Sequence, residues 1–96
     1  MSAESELGKW RADVRVAKAT HDALARQIDN YIDLPDGSIG YTLVIEAVTH
    51  YRDALVKLWQ LYARAPDGAF EKGTKGLILE HLERQIQEYD EFLTES

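Results

Sequence analysis

The chain contains no cysteine. Disulfides, thiolate metal sites and a cysteine nucleophile are therefore excluded, and a reducing, cytoplasmic setting fits. No apolar run approaches the roughly 18–20 residues of a membrane span. The opening stretch, MSAESELGKW, lacks the basic start and apolar core of a signal peptide, so none is expected. Positive charge is also scarce. Eleven Lys and Arg stand against 17 Asp and Glu, a net charge of −6 that opposes general affinity for DNA, RNA or anionic membranes. The glycine-containing stretches DGSIG and EKGTKG lack the Walker spacing of a phosphate loop. No nucleophile–histidine motif is present. The expectation is a protein that acts by binding, without a cofactor, rather than by catalysis.

Proline is nearly absent too. Both prolines fall in the same phrase, Pro-Asp-Gly, in DLPDGSIG (33–40) and RAPDGAF (64–70). Proline cannot continue a helix, Asp turns or caps the chain, and Gly accepts left-handed angles. The two phrases therefore cut the chain into three segments. Each shows steps of three and four between apolar residues. The first carries Leu7, Trp10, Val14, Ala17, His21, Leu24, Ile28 and Tyr31, and the second Tyr41, Val44, Val48, Tyr51, Leu55, Leu58 and Tyr62. The third carries Leu79, Leu82, Ile86, Tyr89 and Leu93. That rhythm gathers side chains into one seam along a helix. A chain of 96 residues forms one domain. The spacing predicts an all-α fold with helices over about 5–32, 38–65 and 74–94, Ser38 serving as an N-cap. Short connections favour a long antiparallel hairpin of the first two helices with the third packed against it as a three-helix bundle. Phe70, in the second connection, is placed to plug the end of the core.

The second segment is apolar over most of its circumference, and such a helix is covered on most sides. One expectation is a homo-oligomer that buries Tyr51, Leu55, Trp59 and Tyr62 between subunits. The alternative is a compact monomer in which helices one and three already cover helix two.

Four groups of residues carry candidate chemistry. Trp10, Arg11, Arg15 and Lys18 form a basic patch beside an aromatic surface, a combination that can hold a phosphate and stack a base. It suits a small anionic, nucleotide-type ligand bound at a subunit interface. Glu46, His50 and Asp53 share one face of helix two, the arrangement from which metal sites and acid–base pairs are made, with His81 as a further group. The opposing reading is a solvated stripe in which Glu46 pairs with His50 and Asp53 with Lys57. The segment EHLERQIQEYDEFLTES holds six acids and one Arg. Acid at a helix C-terminus is unfavourable for the helix dipole. A basic protein partner of Glu88, Asp90 and Glu91 would explain it, as would simple solubility. His21, lastly, sits in the apolar seam of helix one, where a polar residue can fix register or contact a ligand.

The stretch EAVTHYRDALVKLWQLYARAPDGAF (46–70) resembles the second arm of the helical hairpin in phage proteins that sequester cyclic nucleotide signals. The resemblance lies in Thr49-His50, Ala54, Leu58 and Ala63 ahead of a proline-ended helix. It covers about a quarter of the chain and implies no binding residue here. The long third helix departs from that pattern. The leading functional expectation is thus an acidic helical interaction or inhibitory module. Sequestration of a nucleotide-type ligand and a metal-dependent or acid–base enzyme stand as alternatives.

Overall fold

A computed structural model describes residues 3–32, 40–66 and 68–95. The three periodic segments are three α-helices: α1 (Ala3–Ile32), α2 (Tyr41–Ala63) and α3 (Thr74–Glu95). The fold is all-α. No helix among the described residues is long and apolar enough to cross a membrane.

The helix ends follow local chemistry. The first Pro-Asp-Gly phrase and Ser38 lie outside the described residues. The N-cap of α2 is Gly40, whose carbonyl accepts from Leu43 N–H at 3.0 Å and Val44 N–H at 3.4 Å. At the other end of α2 the last carbonyls need partners that the helix cannot supply. Gln60 C=O accepts from Arg64 N–H and Tyr62 C=O from Ala65 N–H, each at 3.2 Å. Leu61 C=O accepts from the indole N–H of Trp10 at 2.7 Å, so a side chain of α1 closes the end of α2. The connection to α3 contains two successive turns. Ala69 N–H reaches Pro66 C=O at 3.2 Å around Gly68, and Thr74 N–H reaches Glu71 C=O at 3.1 Å around Gly73. Both glycines have positive φ, +87° and +88°. Side chains with a Cβ rarely adopt that region.

The helices run antiparallel in chain order. Trp10, near the start of α1, meets Leu61 near the end of α2, and His21 meets Tyr51. Arg52 of α2 reaches Asp90 of α3, and Trp59 reaches Glu83. α1 and α3 both pack along α2, but among the described residues no Cα of α1 comes within 8 Å of one in α3. α2 is therefore the spine. Its buried residues, Ala47, Val48, Tyr51, Ala54, Leu55, Leu58 and Leu61, span both contact faces and join Ala17 of α1 and Leu82 of α3 as the core. Leu55 is fully covered, which stabilises the fold by about 1.5–3 kcal/mol relative to an exposed leucine.

Two expectations change here. Tyr51 and Leu55, assigned to a subunit interface, are covered inside one chain because α1 and α3 flank the same side of α2. In α3 it is Ile78, rather than Leu79, that packs against the core. Phe70 does close the far end: its ring meets Trp10 edge-on at 5.4 Å and Tyr62 at 5.6 Å.

Candidate functional site

A groove of about 590 Å³ lies between α1 and α3 over the C-terminal half of α2. Leu58 and Tyr62 of α2 form its floor. Lys18, His21 and Asp22 line one wall, and Leu77, Ile78, His81, Leu82 and Gln85 line the other. Leu77 is 68% exposed, the largest exposure among the large apolar side chains described. An apolar floor between polar rims is the form of a binding surface rather than of a closed core.

Next to the His21 and Asp22 wall lies a cluster of phenols and carboxylates. The His21 ring leans on Tyr51 with centroids 4.9 Å apart, and its Nδ1 lies 3.0 Å from Asp22 Oδ1. His21 is thus partly exposed on the groove wall, not buried in the seam. Tyr51 also takes the edge of Tyr89 at 5.1 Å. Burial pushes the Tyr51 hydroxyl above the usual phenol value, and Tyr89, Asp22 and Asp29 add to the shift. The Tyr89 hydroxyl is raised as well, first by burial and then by Glu88 and Asp29.

The structure distributes the sequence candidates unevenly. Trp10 belongs to the aromatic plug with Tyr62 and Phe70, and its N–H is taken by Leu61, so its role in view is structural. Arg11, Arg15 and Lys18 remain exposed along α1. Glu46, His50 and Asp53 are exposed along α2, and His81 lies apart on the groove wall. Among the described residues no group of three or more His, Asp or Glu side chains is arranged to hold a metal. Asp53 approaches Arg52 Nε at 3.1 Å. Asp90 accepts from Arg52 Nη1 at 2.9 Å and so staples α3 to α2, whereas Glu88 and Glu91 are exposed. Trp59 is half-buried and donates its indole N–H to Glu83 Oε1 at 3.1 Å. Tyr62 is half-buried between the aromatic plug and the groove floor.

Leu77 and Ile78 of the groove wall were not singled out by sequence. The signal was present in the run Leu77-Ile78-Leu79, three consecutive apolar residues where one seam requires fewer. No family model, curated protein or solved structure matches the chain. Fold and groove together define a small all-α protein whose three helices leave an apolar groove over the central one.

Proposed function

We propose that the protein acts by binding, as a helical interaction module, and that its binding surface is the groove between α1 and α3. One observation carries this reading: among the described residues no Cα of α1 comes within 8 Å of one in α3, and Leu58, Tyr62, Leu77 and Ile78 line the groove between them. A channel between two roughly parallel helices is a seat for a further helix, recognised through apolar anchors at i, i+3 or i+4, and i+7. The exposed Glu88 and Glu91 at one end of α3 favour basic residues in a partner there.

Selection of helical peptides from a displayed library against the full chain tests the reading. Enriched peptides should carry that apolar spacing, and Leu77→Asp should weaken them by about tenfold or more while leaving thermal unfolding unchanged. The substitution spares the core because Leu77 is largely exposed. No enrichment, or peptides that bind the variant equally well, would reject the groove as the binding surface.

A further inference from the structure

The chain has three histidines, and two of them line the groove. His21 stands on the α1 wall and His81 on the α3 wall, while His50 is exposed on α2 and lies outside the lining. The other charged lining residues are Lys18 and Asp22, one of each sign. Asp22 Oδ1 is turned to His21, 3.0 Å from its Nδ1. Imidazole is the side chain that ordinarily gains charge between pH 5 and 8. A proton on each histidine therefore takes the lining from balanced charge to two net positive charges. The groups around the pair do not cancel that change. From α2, His21 faces the phenol of Tyr51, with Tyr89 of α3 behind it, and the groove floor adds the phenol of Tyr62. Phenols stay neutral over this range. Arg15 precedes Lys18 by one turn and Arg26 follows Asp22 by one turn on α1, while Glu80 and Arg84 flank His81 on α3, all exposed. Carboxylates and guanidinium groups ordinarily keep their charge over the same range. Asp29 and Glu88 stand seven residues beyond Asp22 and His81, roughly 10 Å along the helices and about a Debye length away at physiological salt.

We infer that the groove takes an amphipathic partner helix whose apolar stripe is flanked by Asp or Glu, and that it holds this helix more tightly as the pH falls from about 7.5 to about 5.5. This rests on the groove being the binding surface and adds the chemistry of its occupant and the regulation of its affinity. The partner's apolar anchors meet Leu58, Tyr62, Leu77 and Ile78. Its flanking acids meet Lys18 and His21 on one side and His81 on the other. The one carboxylate in the lining, Asp22, is the neighbour that a protonated His21 offsets. A partner with basic flanks gains only Asp22 at neutral pH and is repelled from both walls once the histidines are protonated. The walls are partly open to solvent, so each new ion pair contributes the modest amount typical of exposed pairs.

Two synthetic helical peptides of about 18 residues, or about five turns, provide the test. They share one apolar stripe, flanked on both sides by Glu in one and by Gln in the other. Each is titrated into the full chain by fluorescence anisotropy at about pH 7.5 and about pH 5.5, where glutamate is still largely ionised. At constant low salt the Glu peptide should bind about three- to tenfold tighter at the lower pH, and the Gln peptide should change by less than about twofold. Added salt should shrink the gain. His81→Gln should remove part of it, and His21→Gln combined with His81→Gln should remove all of it, with folding checked by circular dichroism. His50→Gln should keep it. An equal pH response of the two peptides, an undiminished gain in His81→Gln, or a gain lost with His50→Gln would overturn the inference. So would self-association on acidification that shuts out the Glu peptide. Leu77→Asp separates this failure from that of the groove. Leu77-dependent binding with no pH response particular to the Glu peptide would overturn the acidic partner alone. No binding of either peptide, or binding insensitive to Leu77→Asp, would overturn the groove as the binding surface as well.

Discussion

Single side chains in this protein carry two kinds of work, closure and tuning. Trp10 closes: its indole N–H removes an orphan carbonyl at the end of α2 while its ring fills the space beside Tyr62 and Phe70. Thr20, Thr49 and Thr94 each donate to the carbonyl four residues earlier, at 2.8–3.2 Å, and so satisfy their hydroxyls on the helix backbone. Tyr51 and Tyr89 tune. Their hydroxyls are raised by burial in the folded state, so the fold favours the neutral phenols. The sign follows from proton counts. Above about pH 10 the unfolded chain releases phenolic protons that the folded chain still holds, so stability is complete below that value and falls as pH climbs through the raised folded values. Tyr51→Phe/Tyr89→Phe should therefore lose less stability than the parent between about pH 9 and about pH 11, measured by urea titration at each pH. Parallel curves would show that other groups govern the alkaline limit.

At the scale of elements, the connection between α2 and α3 decides how the third helix meets the spine. Gly68 and Gly73 each occupy the third position of a turn with positive φ. A Cβ at Gly73 meets nothing within 4 Å, so the obstacle to substitution is the backbone conformation and not crowding. Gly73→Ala should destabilise the protein by about 1–2 kcal/mol. Gly76→Ala, inside α3 with equally open space, should stabilise it by about 0.5–1 kcal/mol. Thermal unfolding of the pair checks both signs, and equal effects would refute the turn assignment. Arg52 is the other device on this junction. Its guanidinium reaches Asp90 across the helix pair and lies beside Asp53, while its Nε is buried without a hydrogen-bond acceptor in good geometry. Asp90 is thereby occupied within the fold, which leaves Glu88, Glu91 and Glu95 as the acids that face outward from that end of α3.

The whole molecule is a rod: its extents are 54 × 21 × 17 Å and its Cα radius of gyration is 16.0 Å. A compact chain of this length would have a radius near 12.5 Å. The excess follows from long helices laid side by side around one spine. A partner helix seated in the groove lies along the existing long axis. Small-angle scattering of a single chain should therefore give a radius near 16.0 Å, and saturation with the cognate peptide should raise the mass while changing the radius little. A marked increase in radius on saturation would place the peptide at an end of the rod instead of in the groove.

The sequence by itself determined the three helices and the breaks between them. These depend on local terms, apolar steps of three and four, proline without an N–H, and glycine at positive φ, which act whatever the rest of the chain does. Only the tertiary structure decided how far each helix is turned about its own axis. Leu77, Ile78 and Leu79 satisfy several seams equally well, and many weak contacts with α2 select the one that buries Ile78 and leaves Leu77 in the open. The same balance turned Tyr51 and Leu55 inward, set Trp10 as a plug, and kept the described Cα atoms of α1 more than 8 Å from those of α3. How the outer helices share the spine is settled by the sum of weak contacts between segments, which no spacing within one segment records.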